Sequence, residues 1–392
     1  MVGRMKQNWN YPTKIKFGVG RLEELASSCQ ELQMRSPLLV VDPGLLLKPM
    51  MNQVSKYLAT NSFRTAIFSD FKSNPTEKNV CDGVVVFHHG KHDGIIAIGG
   101  GSALDNAKAV ALMSAQDLPL WTFEDHGDNW IKADSEKIPP IIAIPTTAGT
   151  GSEVGRASVI LDELSVEKKI IFHPKMLPSI VILDPLLTLD LPSNLTAATG
   201  MDALSHNLEA WCSPIYHPMA EGIAAEGVRL IRNYLQRSVK DGQDIEARSK
   251  MLVASTMGAT AFQRGLGAMH ALAHPIGAIY DLHHGTLNAI LMPYVLQANK
   301  SKISHQIERL SMYIGIEDPS FDGFLDWILT LRANIGIPDT LMKVGIELSK
   351  AEEISKQAFR DPSASTNPIA FASNDYETIL RNAIHGDLTF DL

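Results

Sequence analysis

In the first half of the chain the apolar residues fall in short unbroken runs: Leu38-Leu39-Val40-Val41, Thr65-Ala66-Ile67-Phe68, Ile95-Ile96-Ala97-Ile98, Ile141-Ile142-Ala143-Ile144 and Ile180-Val181-Ile182-Leu183. Runs of this length without a polar alternate predict strands buried on both faces, as in a parallel sheet. The stretches between them, such as Arg21 to Glu31 and Ala103 to Met113, read as helices, so strand and helix alternate. Past Leu191-Pro192 the strand runs disappear, and Ala, Leu, Met, Glu and His recur at three-to-four spacing. That is a helical pattern. Pro185 and Pro192, with Ser193 and Thr196 available as caps, mark the change. The expectation is an α/β unit with a parallel sheet over 1–190 and an all-helical unit over 191–392.

Composition narrows the partners. The 392 residues hold 35 Lys and Arg against 43 Asp and Glu, a net charge of −8, and no basic block stands out. Nucleic acid and anionic membrane surfaces are therefore poor partners. Cys29, Cys81 and Cys212 lie far apart and form no CxxC pair, which suits a reducing compartment. The opening MVGRMKQNWNYP lacks the apolar core of a signal peptide, and no apolar run reaches the ~18 to 20 residues of a membrane span. The expectation is a cytoplasmic protein without membrane association.

Three strand ends carry candidate chemistry. Ile95 to Ile98 runs into Gly99-Gly100-Gly101-Ser102 and then a helix. Glycines allow close approach of backbone amides, and a helix N-terminus offers free N–H groups to a pyrophosphate, although the spacing is not GxGxxG. A tight βα turn accounts equally for this corner taken alone. The second end, Pro145-Thr146-Thr147-Ala148-Gly149-Thr150-Gly151-Ser152-Glu153, supplies hydroxyls and amides for ribose or phosphate; a merely polar loop is its plain alternative. Asp42 ends a third run, where a carboxylate can accept ribose hydroxyls and repel a 2′-phosphate, or simply form a turn. In an open α/β sheet such ends share one crevice.

The helical half holds a second constellation. Asp202 and His206 are four apart, hence on one helix face, and His270 and His274 repeat that spacing; His284 follows in Asp281-Leu282-His283-His284-Gly285. One histidine in apolar surroundings is usually a satisfied core residue. Two i,i+4 pairs and a His-Gly corner together point to three imidazoles and a carboxylate on a divalent ion, Fe(II) or alternatively Zn(II).

These segments, GGGSALDNAK from Gly99, PTTAGTGSE, GMDALSHNLEA and HALAHPIGAIYDLHHG, resemble the iron-containing (group III) alcohol dehydrogenases over nearly the whole chain. The resemblance implies a dehydroquinate synthase-like architecture, with NAD and metal meeting in a cleft between the two domains. It implies Asp202, His206, His270 and His284 as metal ligands. His274 is then the histidine that transfers protons or lines the substrate pocket, and His270 counts as catalytic as well as ligating. Gly99, Gly100, Gly101 and Ser102 would take the cofactor pyrophosphate. Asp105 in the same segment joins the cofactor residues, with Thr146, Thr147 and Thr150 on the ribose and nicotinamide side and Asn74 and Lys168 as further contacts. Asp42 matches the acidic residue that favours NAD over NADP. The implied reaction is hydride transfer between a small alcohol, diol or hydroxy acid and NAD+, in a homo-oligomer, most simply a dimer. Two departures stand out: His283 replaces a frequent Pro beside His284, and Arg156 follows the nicotinamide loop, either as an ion-pair partner or as a fork for an anionic substrate. Competing readings are a lyase resembling dehydroquinate synthase, a zinc-dependent glycerol dehydrogenase type, and a non-catalytic NAD-binding scaffold.

Overall fold

The computed structural model describes residues 8–389. Eight strands run in chain order: β1 (Lys14–Phe17), β2 (Pro37–Val41), β3 (Ala66–Phe68), β4 (Gly94–Gly99), β5 (Ile141–Pro145), β6 (Ala157–Asp162), β7 (Glu167–Phe172) and β8 (Ile180–Leu183). Six of them form one sheet in the order β1-β8-β5-β4-β2-β3, with every pairing parallel. Helices α1 (Leu25–Glu31), α2 (Pro49–Thr60), α3 (Glu77–His89) and α4 (Gly101–Met113) lie between the strands. Alternation explains why the runs are unbroken. Leu39, Val41, Ile96, Ile98, Ile142 and Ile144 pack with Leu25, Cys29, Val54 and Leu58 in one core cluster. Their strand neighbours Leu38, Val40, Ile95 and Ala97, which point to the opposite face, are buried as well.

The five apolar runs are all strands of this sheet. The sixth strand, β1, carries two lysines and pairs only with β8 at the sheet edge, so its polar, half-exposed sequence shows no run. The hairpin of β6 and β7 is a separate two-stranded antiparallel sheet. One β6 face is buried through Ser158, Ile160 and Asp162, two of them polar, which masks its alternation. Arg21–Glu24 is a 3₁₀ turn that leads into α1 rather than the start of one helix.

From residue 193 the described chain is helical: α5 (Ser193–Cys212), α6 (Pro218–Lys240), α7 (Ile245–Ala261), α8 (Ala268–Tyr280), α9 (His284–Ile314), α10 (Phe321–Asn334), α11 (Ala351–Arg360) and α12 (Ser373–His385). Neither expected cap operates. Ser193 is already helical, with Pro192 at the N-cap, and Thr196 Oγ1 bonds back to the carbonyls of Leu191 and Pro192 at 3.3 and 3.0 Å. The start of α5 is pinned instead by buried Arg248, which donates to Thr196 Oγ1 at 2.8 Å and to Leu191 O at 3.1 Å.

The described chain divides into two compact units, Tyr11–Asp190 and a second that runs from Leu191 onward, which residues 8–10 join. That segment departs from the expected 1–190 range for a physical reason. Trp9 stacks on His217 at 4.6 Å, and the Asn10 backbone exchanges hydrogen bonds with the Gln263 amide at 2.8 and 2.6 Å. No helix among the described residues is long and apolar enough to cross a membrane.

Candidate functional site

In the α/β unit, the C-terminal ends of β2, β4 and β5 bring together most of the residues singled out for a cofactor. Gly99 has φ +147°, a backbone that L side chains rarely adopt, and a Cβ there would meet Ala103 Cβ at 2.7 Å and Asp42 Cβ at 2.8 Å. Only glycine lets β4 turn into α4 against Asp42. Gly100 and Gly101 face the neighbouring loop, where an added methyl would meet Thr147 at 3.3 Å and Thr150 at 2.6 Å. Thr146 N donates to Gly99 O at 3.0 Å. The N-cap of α4 is Gly100, which has no side chain to cap the first-turn amides. Ser102 Oγ donates to Ser73 O, which fastens the loop of Asn74 to this turn. Leu161 N donates to Pro75 O at 2.8 Å, and Lys168 is the register partner of Leu161, so the hairpin stands at the same loop.

Two of these side chains already hold the protein together. Asp42 Oδ1 accepts from Gly44 N at 2.8 Å, the turn-forming use. Asp105 accepts from Val159 N at 2.9 Å and from Ser152 Oγ, and lies 3.1 Å from the Lys108 ammonium. Lys108 is buried and also donates to Ser152 O and Ala157 O. Asp105 and Lys108 therefore fix the threonine loop and the start of β6 in place. The Arg156 guanidinium lies 5.3 Å from the Phe172 ring centroid; burial pulls its pKa down, and the Asp125 carboxylate acts against this.

In the helical unit, Asp202 and His206 on α5 and His270 on α8 each offer one donor atom, and these lie within 4.8 Å of one another. His206 and His270 stack at 4.7 Å, and His270 and His284 sit 5.1 Å apart. α8 ends at Asp281 in the left-handed region, and His283 forms the N-cap of α9. The chain thus reverses within three residues and returns His284 at the first position of α9. Its Nε2 is 3.6 Å from Asp202 Oδ1, which places the His284 ring beside the group of Asp202, His206 and His270. Gly285 permits the approach, because a Cβ there would meet Ala198 O at 2.3 Å.

The surroundings set the chemistry of these rings. Glu209, buried three residues after His206, accepts from His270 Nδ1 at 2.6 Å and, through its other oxygen, from Met269 N at 2.8 Å. A carboxylate can only accept, so His270 Nδ1 carries the proton and Nε2 presents its lone pair to the cluster. Burial pulls the His270 pKa down, but the charge and hydrogen bond of Glu209, together with the Asp202 and Asp361 charges, outweigh it and leave the imidazole above its ordinary value. His274 stacks on His284 at 5.4 Å and donates from Nδ1 to Asp361 Oδ2 at 2.7 Å. Burial raises the Asp361 pKa, yet His274 and the Ser363 amide hold it below the ordinary carboxylate range. Buried imidazoles converging with one carboxylate are the donor set of a divalent transition ion, so the residues fit a metal.

Glu209 and Asp361 are absent from the sequence reading. Glu209 had a signal, since it follows His206 by three positions on the same helix. Asp361 had none, being 87 residues from His274.

A family model described as iron-containing alcohol dehydrogenase matches residues 12–185, and its C-terminal counterpart matches residues 196–384. A 4-hydroxybutyrate dehydrogenase of Cupriavidus necator is 35% identical over 95% of this chain and 99% of its own. The crystal structure of a 1,3-propanediol oxidoreductase superposes with TM-score 0.91 at 32% identity, covering 96% of this chain and 100% of its own. A sulfoacetaldehyde reductase from Bifidobacterium kashiwanohense, solved in complex with NAD+, superposes with TM-score 0.87 at 27% identity over 97% and 99%. With matches that span both units, the chain belongs to the iron-containing alcohol dehydrogenase family, whose oxidoreductases share the dehydroquinate synthase-like fold seen here.

Proposed function

We propose that this alcohol dehydrogenase interconverts a small alcohol and its aldehyde or ketone with NAD+ and NADH, at an iron held by Asp202, His206, His270 and His284. The observation that carries the reading is the convergence of the Asp202, His206 and His270 donor atoms from two helices in a buried setting. When bound, the divalent ion supplies Lewis-acid polarisation of the substrate oxygen, and NAD+ supplies the hydride acceptor.

The chain's own residues do the rest. Gly99 to Ser102 bind the pyrophosphate on the α4 amides, Thr146, Thr147 and Thr150 orient the ribose and nicotinamide, and Asn74 and Lys168 add contacts from the adjoining loop and hairpin. Asp42 accepts a ribose hydroxyl through Oδ2, which favours NAD over NADP. Asp105 serves the cofactor by holding the threonine loop. His274, its Nδ1 proton fixed on Asp361, accepts the alcohol proton at Nε2 and returns it in the reverse direction. The substrate class is short and polar, in keeping with relatives named for 4-hydroxybutyrate and 1,3-propanediol. A cytoplasmic homodimer is part of the same proposal.

Anaerobically purified protein reconstituted with Fe(II) should oxidise NADH with a short aldehyde, and His206→Ala should lose bound metal and turnover together. A His206→Ala protein that keeps both overturns the ligand assignment.

A further inference from the structure

The first turn of α8, which carries His270, has no cap of its own. Its N-cap is Gly267, and the next two amides take their acceptors from elsewhere in the helical unit: Ala268 N donates to Asn367 Oδ1 at 3.1 Å and Met269 N to Glu209 Oε1 at 2.8 Å. A Cβ at 267 would meet Asn367 Oδ1 at 2.9 Å and Glu209 Oε1 at 3.0 Å, so glycine leaves the room that both outside caps occupy. Asn367 follows α11, in the segment whose Asp361 accepts from His274 Nδ1 and whose Thr366 donates to Leu266 O at 2.7 Å. It is also paired with Asn299 of α9. Asn367 Nδ2 donates to Asn299 Oδ1 at 2.9 Å, and Asn299 Nδ2 donates back to Asn367 Oδ1 at 3.1 Å. Backbone groups settle which way each amide faces: Ala268 N can only donate, whereas Ile369 O, 2.8 Å from Asn367 Nδ2, and Val295 O, 3.1 Å from Asn299 Nδ2, can only accept. Both lone pairs and both hydrogens of the Asn367 amide are thereby used, and both asparagines are buried. Apolar side chains of the same volume would bury the same surface but let α8 slide on α9, which directional bonds do not.

We propose that Asn367 is a positioning residue of the metal centre: through Ala268 N and Asn299 it fixes the start of α8, and with it His270, against α9, which carries His284 at its first position. It acts through the backbone of α8 rather than through a ring. His270 stands two residues after the amide that Asn367 holds, and ligating atoms need placement to within about 0.5 Å. The segment that brings Asn367 also brings Asp361, so one stretch of chain sets both His270, through the helix start, and His274, through its Nδ1 proton. The inference rests on the proposed metal centre.

The test uses the full chain stripped of metal by chelation and titrated with Zn(II) against a chromophoric chelator, and separately with Co(II) followed by its visible bands, well below the Tm of each protein. Asn299→Ala removes the tie to α9 and leaves the cap on Ala268 N; Asn367→Ala removes both. Asn299→Ala should bind Zn(II) about 10-fold more weakly than wild type and Asn367→Ala more weakly again, toward the 100-fold end of the range for residues that hold metal ligands. The Co(II) bands of both should shift. Asn299→Ala, the milder change, decides the matter if Asn367→Ala does not fold. A lowered Tm with wild-type Zn(II) affinity and an unchanged Co(II) spectrum in either folded variant makes the pair a contact of the fold alone and overturns the proposal. A wild-type chain that takes up neither ion overturns the metal centre itself and this inference with it, a result distinct from a variant-specific null.

Discussion

The His274 ring has one nitrogen committed: Nδ1 donates to Asp361 Oδ2 at 2.7 Å, and Asp361 Oδ1 in turn accepts from Ser363 N at 2.8 Å. A carboxylate so held leaves the ring no choice of tautomer, and Nε2 becomes the basic atom. Asparagine at this position is nearly isosteric but can offer an N–H to Nδ1, which turns the basic atom the wrong way. Asp361→Asn is expected to lower kcat by roughly 10²-fold, within the range for loss of a positioned acid–base group. Metal content and KM for NAD should stay near wild type. Steady-state kinetics beside metal analysis checks this, and an unchanged kcat would remove His274 from proton transfer. The candidate ligands were legible at this scale because i,i+4 spacing is a local property of the helix. Asp361 was not, since a lone acidic residue acquires meaning only from what packs against it.

Among the elements, the β6–β7 hairpin is the one whose stability depends most visibly on a single charge. Asp162 ends β6, where its oxygens accept from Leu164 N at 3.0 Å, Ser165 Oγ at 2.9 Å and Lys169 Nζ at 2.7 Å. Burial pushes the carboxyl up, but the Lys169 hydrogen bond and the turn donors outweigh it and bring the pKa down to about 2. A carboxyl with a depressed folded pKa adds stability above its unfolded value, near 3.8, and loses it as pH falls toward 2. Wild type should therefore lose more hairpin stability between about pH 4 and 2 than Asp162→Asn, by on the order of 1 kcal/mol once solvent screening is allowed for. Amide exchange at Ile160 and Lys169, which pair across the hairpin, reads the difference directly. Identical acid sensitivity in the two proteins would show that Asp162 carries no such contribution. This hairpin escaped the sequence pattern because its buried face includes Ser158 and Asp162, polar residues that hydrophobic alternation does not count.

At the scale of the whole molecule, the proposed ligands tie α5, α8 and α9 together, so the ion binds the folded chain and not the unfolded one. Binding of that kind stabilises by mass action, about 2.7 kcal/mol at a free metal concentration of 100 Kd. For a unit of this size that corresponds to roughly 5–10 °C in Tm. Chelation should lower the Tm by this amount, and Fe(II) or Zn(II) should restore it in wild type but not in His206→Ala. Differential scanning calorimetry checks the shift, and a Tm indifferent to metal would mean that the ion contributes nothing to the fold.

The sequence by itself determined the strand runs of a parallel sheet, the glycine turn into α4 and the change to helix after Pro192, and it offered the residues proposed to chelate or cradle a ligand. All of these follow from neighbours along the chain, where sterics and helical or strand periodicity act. Only the tertiary structure showed how His284 comes beside Asp202, through the left-handed turn at Asp281 and the close approach of Gly285 to α5. It alone turned Asp105 inward to the threonine loop and placed Trp9 and Asn10 on the helical unit. Those outcomes depend on contacts between residues tens of positions apart or more, for which spacing along the chain holds no information.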